Sequence, residues 1–173
     1  YLNLASCHLV AGNWAQGWLH YEWRWKTEQL KDGMRTFAQP QWRGEALEGK
    51  TILLHAEQGL GDTLQFCRFA QALAARGARV LLEVQAPLLV LLAQLHGVHG
   101  LIARGQSLPA FDLHCPLLSV PLALGLTLEN MPPAQTYLQA EAALARTWAE
   151  KIDDGSILRV GLVWSGRPEH KND

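Results

Sequence analysis

With 173 residues, 49% of them hydrophobic and 18% charged, the chain has the composition of a buried globular core, which excludes a disordered polypeptide. A formal net charge of −1, with no long basic run, excludes the electrostatic field that draws proteins to nucleic acid or an anionic membrane. The longest apolar stretches, such as Pro87 to Leu95, are far shorter than the ~20 residues of a membrane span, and Cys7, Cys67 and Cys115 lack zinc-ligand spacing, as reduced, buried thiols of a cytoplasmic protein would.

Residues 1–31 predict a helix pair. Leu2, Leu4, Ala5, Leu9 and Val10 recur near helical spacing, and Gly12-Asn13 interrupts the run. Trp14, Trp18 and Tyr21 then fall at i, i+4 and i+7, which puts three rings on one face and predicts their burial. Tyr1 stands where a helix is already under way, so the chain reads as a piece of a longer protein. Residues 32–50 read as a linker, punctuated by Gly33, Pro40, Gly44 and Gly49 and pinned to a neighbouring surface by Phe37 and Trp42.

From Thr51 the pattern changes to alternating strands and helices over 51–156. Thr51 to His55 is a short apolar strand, followed by a glycine-containing turn at Gln58 to Asp62 and a helix ending near Gly77. Val80 to Val84 is a second strand and Pro87 to Leu95 a second helix, with proline in the first turn, where its missing N–H costs little. Strands follow around Leu101-Ile102 and at Phe111 to His114, then an apolar helix at Leu117 to Leu124. After Met131-Pro132-Pro133, Tyr137-Leu138 reads as a last short strand and Glu141 to Lys151 as a helix. The alternation predicts an α/β fold, a Rossmann-like parallel sheet with helices on both faces. Ile157 to Trp164 opens a new strand–loop unit over 157–173 that the chain does not complete.

Ligands of open parallel sheets bind beyond the carboxyl ends of the strands. Two such loops hold suggestive residues. In the first, His55 to Thr63, Gly59 and Gly61 permit a tight turn and close approach of a ligand, and Asp62 stands near the helix start. Asp62 reads either as a helix cap that satisfies the free N–H groups there or as part of a loop that binds a ligand. Gly59-x-Gly61 with Glu83 about 20 residues on is half of a dinucleotide fingerprint, since Leu64 replaces the third glycine. The second loop, Trp164 to Asn172, holds Ser165, Gly166, Arg167, His170 and Lys171, which suits either a pyrophosphate or plain solvation. His55, His114 and His170 follow no metal-ligand spacing.

Several runs resemble a known family. Ile52 to Phe66, with His55-Ala56-Glu57-Gln58-Gly59-Leu60-Gly61-Asp62-Thr63 at its centre, looks like the opening strand and loop of bacterial repeat-fused glycosyltransferases similar to the ADP-heptose:lipopolysaccharide heptosyltransferases (glycosyltransferase family 9). Gly17 to Trp25 resembles a terminal tetratricopeptide repeat ahead of the catalytic part. Phe111 to Ser119 resembles an internal segment, and Val160 to Asp173 resembles the start of a second domain.

The resemblance implies the N-terminal half of a GT-B fold, one of two Rossmann-like domains facing across a cleft. Such enzymes use neither a metal nor another cofactor. It implies a nucleotide-sugar donor, an acceptor glycan, lipid or protein, and a possible protein partner for the repeats. It gives Asp62 the role of general base, and Gln58, Gly59, Gly61 and His114 that of substrate-binding residues. Ser165, Gly166 and Lys171 would lie at the donor phosphates, although Asn172-Asp173 replaces the tryptophan-proline that often follows such a lysine. The expected function is the acceptor side of an inverting, metal-independent sugar transfer. The alternatives are a repeat scaffold with an inactive enzyme-like body and a nicotinamide-dependent enzyme.

Overall fold

A computed structural model of the protein describes residues 1–28, 30–132, 136–153, 155 and 160–162. It divides into two compact units, Tyr1–Gln139 and Ala140–Asp173.

The first unit is built on four parallel strands: β1 (Thr51–His55), β2 (Arg79–Val84), β3 (Val98–Ala103) and β4 (Leu113–Pro116), in the order β3-β2-β1-β4. Runs such as Ile52-Leu53-Leu54 and Val80-Leu81-Leu82 are apolar on both sides of the pleat, as strands buried on two faces require. Ile52, Leu54, Val80, Leu82, Val84 and Cys115 point to one face and join the main core with the helices α3 (Leu60–Phe66), α4 (Phe69–Ala74), α5 (Leu89–Leu92) and α6 (Val120–Leu124). Leu53, Leu81 and Ile102 point to the other face. There they meet Phe37, Leu108 and Phe111, none of them in a helix. The expected α/β parallel sheet is present, but among the described residues the helices gather on one face instead of two. Extended segments cover the second.

Other expectations shift for local reasons. The single helix expected to end near Gly77 breaks at Cys67-Arg68 into α3 and α4. The carbonyl of Leu64 is drawn aside there: it accepts hydrogen bonds from the Tyr137 hydroxyl (2.9 Å) and the Cys67 thiol (3.2 Å). Tyr137 is therefore an anchor, and no strand forms at Tyr137-Leu138. The fourth strand starts two residues later than Phe111, because Asp112 closes the start of β1: its carboxylate accepts from Thr51 N–H (2.7 Å) and its own N–H donates to Thr51 O (2.8 Å). The strand expected at Ile157 to Trp164 falls mostly outside the described residues.

The N-terminal helices α1 (Leu2–Val10) and α2 (Trp14–Tyr21) lie antiparallel, with Tyr1 stacked on Trp23 at one end, ring centroids 4.3 Å apart. Gly17 makes their close contact possible, since a Cβ there would stand 2.6 Å from a methyl carbon of Leu9. Trp14, Trp18 and Tyr21 are half-buried, where their spacing suggested that they would be largely buried. Their faces border a cleft.

Residues 34–47 dock on the sheet. Gln41 makes a parallel bridge to His114, with Trp42 N–H donating to His114 O (2.8 Å) and His114 N–H to Pro40 O (3.2 Å). Trp42 and Leu47 are buried in the main core. Gly44 is obligatory here: its φ is +118°, and a Cβ would sit 2.7 Å from the Ala123 carbonyl oxygen. Cys67 and Cys115 are buried free thiols, whereas Cys7 is exposed, contrary to the expectation that all three are buried.

The second unit holds α7 (Ala142–Ile152), an amphipathic helix with Leu144, Trp148 and Ile152 exposed on one side and the Lys151 ammonium 5.0 Å above the Trp148 ring. No helix among the described residues is long and apolar enough to cross a membrane.

Candidate functional site

The strand order reverses between β1 and β4, so the loops leaving their carboxyl ends diverge and open a crevice. The loop after β1 carries Glu57, and the 3₁₀ turn Leu117–Ser119 after β4 carries Leu118 and Ser119. Arg24, from the 3₁₀ helix Glu22–Lys26 that follows α2, fills the crevice. Its Nη2 donates to Glu57 Oε1 (3.0 Å) and Ser119 Oγ (2.7 Å), and its Nη1 donates to Glu22 Oε1 (2.6 Å). The guanidinium lies over the rings of Trp25 (4.6 Å) and Tyr21 (5.2 Å) and is 1% exposed. Leu118 N–H also donates to Glu57 Oε1 (3.1 Å). Burial pushes the Glu57 carboxyl up to about 7, against the pull of Arg24 and the Leu118 amide. The position where a nucleotide sits in many open sheets is thus taken by the protein's own arginine.

Two cavities flank this plug. The first is a cleft of about 380 Å³ between the helix pair and α3–α4, walled by Leu9, Trp14, Trp18, Tyr21, Asp62 and Arg68. Trp18 meets Trp14, Tyr21 and Phe66 edge to face, with centroids 5.9 to 6.2 Å apart, so the aromatic wall is rigidly set. Trp18 Nε1–H and Arg68 Nε–H are buried there without an acceptor among the described residues.

The turn that brings Asp62 to this cleft is fixed from two sides. Gly59 is the N-cap of α3, and Asp62, three residues on, accepts from Gly59 N–H through Oδ2 (3.0 Å). From the end of β2, Gln85 donates to Gln58 O (2.8 Å) and accepts from the Thr63 hydroxyl (2.9 Å). Gln58 Nε2 donates to Tyr21 Oη (3.1 Å), tying the loop to the helix pair, and burial raises the Tyr21 hydroxyl above its ordinary value. Neither Gly59 nor Gly61 has a positive φ, so the tight-turn reason for these glycines does not hold. The space a Cβ would take at Gly61 is open.

The second cavity, about 290 Å³, lies on the thinly covered sheet face, against Trp25, Phe37, Gln39, Gln41, His55 and His114. His55 Nε2 and His114 Nδ1 stand 3.3 Å apart, so one ring donates to the other. Burial lowers both imidazoles, His55 to about 3, which keeps the pair neutral.

The structure therefore separates the sequence-derived candidates. Asp62 lines the first cleft; Gln58 and Gly59 shape its loop, Gly61 is exposed beside it, and His114 belongs to the second cavity. Glu83, the acid of the half fingerprint, is buried and ion-paired with Arg35, so it cannot offer a carboxylate to a ribose at the strand ends. Ser165, Gly166 and Lys171 lie outside the described residues. Arg24, Gln85 and the His55–His114 contact escaped the sequence reading. Only the charged Arg24 amid aromatics in Tyr21 to Trp25 hinted at a buried ion pair.

No family model matches the chain, and no solved structure matches it. It is 26% identical over 181 residues to Protein FlbA of Caulobacter vibrioides, across 92% of this chain and 30% of that protein. The chain thus spans less than a third of the length of this relative. The resemblance to the heptosyltransferases, with its terminal tetratricopeptide repeat, is corrected by this result: the sequence likeness found is a distant one to FlbA, and no glycosyltransferase family model supports the motifs. The reason is physical. A short apolar strand, a glycine-bearing turn and an acid near a helix start meet the general needs of a βα junction in any parallel sheet.

Proposed function

We propose that the unit Tyr1–Gln139 forms the acceptor side of an inverting, metal-independent transfer of a sugar from a nucleotide-sugar donor to a hydroxyl group, with Asp62 as the base. One observation carries this reading: the Asp62 carboxylate stands on the wall of an aromatic cleft, beside the carboxyl edge of the sheet. Sugar rings present C–H faces that pack on rings such as Trp14 and Trp18, and hydroxyls that need donors and acceptors. The Trp18 and Arg68 N–H groups are donors left without partners in that wall. Among the described residues, Asp62 Oδ1 accepts no hydrogen bond, which leaves an oxygen for an acceptor hydroxyl.

In the step proposed, the acceptor oxygen attacks the anomeric carbon from the face opposite the leaving group. The bond from that carbon to the diphosphate oxygen breaks, its electron pair departs with the nucleoside diphosphate, and the hydroxyl proton passes to Asp62. A single displacement inverts the anomeric centre. The buried thiols of Cys67 and Cys115 fit a reducing, cytoplasmic setting.

Asp62→Asn in the full-length protein tests this. Asn still accepts the Gly59 N–H but cannot take a proton, so turnover with the nucleotide sugar that the wild type uses should fall ~100- to 10,000-fold at nearly unchanged melting temperature. A lowered melting temperature with normal turnover would make Asp62 a helix-start residue only. Absence of transfer by the wild type with a full donor panel would favour the alternative, a binding protein that uses the aromatic cleft to hold a partner.

A further inference from the structure

We infer that the cavity in which Trp25 and Phe37 flank the His55–His114 pair is a binding site for an uncharged, hydroxyl-rich ring the size of a single monosaccharide. The inference stands apart from the sugar-transfer reading, because Asp62 lines the other cavity.

The first support is an unmet hydrogen bond. His55 is 2% exposed and its Nδ1 is buried with no partner among the described residues. Whichever ring donates across the 3.3 Å contact, His55 Nδ1 is left as either a bare N–H or a bare lone pair. Leaving such a group unmet is destabilising, because it gives up water without gaining a partner. A hydroxyl satisfies either case, because it both donates and accepts.

The second support is the lining. Gln39, Gln41 and Thr36 add amides and a hydroxyl that also donate and accept, around the faces of Phe37 and Trp25. Phe37 is held in place by its contacts with His114 (4.6 Å between centroids), His55 (5.4 Å) and Phe111 (5.5 Å). Polar groups of mixed character around aromatic faces suit a ring with hydroxyls on its rim and C–H bonds on its face.

Charge narrows the class. Arg35, the cation of the lining, is ion-paired with the buried Glu83 and stacked over Phe37 at 4.7 Å. Its charge is balanced, so an anion gains little here. Both imidazoles are neutral and offer a cation no counter-charge. Among the described residues no group of three or more His, Cys, Asp or Glu could hold a metal. The volume of about 290 Å³ lies at the small end of ligand pockets, ~300–1,000 Å³, and admits one ring rather than a chain.

The experiment is a titration of the protein, isotope-labelled at histidine, with glucose, galactose, mannose and N-acetylglucosamine, followed by imidazole NMR. At least one sugar should shift the His55 and His114 resonances saturably. Phe37→Leu, which keeps an apolar side chain on the sheet, and Gln39→Ala should each weaken that binding about tenfold or more, close to 1.4 kcal/mol. Asp62→Asn should leave it unchanged. Three results would overturn the inference: no imidazole shift with any of the four sugars, shifts insensitive to both Phe37→Leu and Gln39→Ala, or binding abolished by Asp62→Asn, which would place the sugar in the first cleft.

Discussion

The two faces of the sheet are made by the same strands and differ in what covers them. On one face, Ile52, Leu54, Val80 and Leu82 meet helices α3 to α6 and form a continuous apolar core. On the other, Leu53 and Leu81 alternate with His55 and Glu83, and the cover is the extended chain around Phe37 and Phe111. A side-chain period of two lets one strand serve both environments. Polar groups collect where the cover is thin: helices can fill a face with aliphatic side chains, while an extended segment leaves gaps that must be met by hydrogen bonds. Arg24 joins the two sides, with Tyr21 toward the aromatic cleft and Trp25 toward the histidine cavity.

The largest expected effect comes from removing that join. Arg24→Ala strips the buried Glu57 carboxylate of its partner and should lower stability by about 3–5 kcal/mol in urea unfolding. A loss under 1 kcal/mol would mean that water replaces the guanidinium and that the crevice is open to ligands.

Next comes the contrast between the faces themselves. Leu54→Ala leaves a cavity in a core closed by helices and should cost about 2–5 kcal/mol. Leu53→Ala lies under a cover that can collapse and should cost distinctly less, although both side chains are fully buried. Equal losses would show the second face to be as tightly filled as the first.

The pH dependence sharpens the same division, because the two sides titrate in opposite senses. His55 is lowered to about 3 in the folded state from an ordinary 6.5, so its contribution to stability is complete above 6.5 and is lost as pH falls toward 3. Glu57 is raised to about 7 from 4.5, so the folded state binds its proton more readily and gains stability as pH falls from 7 to 4.5. Each slope is about 1.4 kcal/mol per pH unit at most. The two nearly cancel between 4.5 and 6.5, with His114, also lowered, tilting the balance toward loss. Melting temperatures should therefore drift little down to pH 4.5 and then drop. His55→Phe should remove much of the drop, and a decline that starts at 6.5 in full strength would show that Glu57 does not titrate as described.

The smallest effect concerns the cleft. Gly61 lies in the first turn of α3 with ordinary φ and open space around it, so Gly61→Ala should raise stability by roughly 0.5–1 kcal/mol. Unchanged stability together with a weakened response to substrate would show that a ligand needs the room beside that backbone.

The sequence determined the parallel sheet, because unbroken aliphatic runs such as Thr51 to His55 and Arg79 to Val84, separated by helical segments, can bury two faces in no simpler way. It also marked the β1–α3 loop, since glycines and an acid at a strand–helix junction signal a turn and a helix start. It could not say which face each helix would cover, nor that Tyr137 and Cys67 would draw off the Leu64 carbonyl and split the first helix. Only the tertiary structure sent Arg24 into the crevice, 33 residues from Glu57 and 95 from Ser119 along the chain. Only it set His55 beside His114, two strands that are neighbours in the sheet but 59 residues apart in sequence. Local pattern reports the period and the punctuation of a segment; it carries no information on which distant charge or ring will be opposite when strands pair, and both cavities are made of such distant pairs.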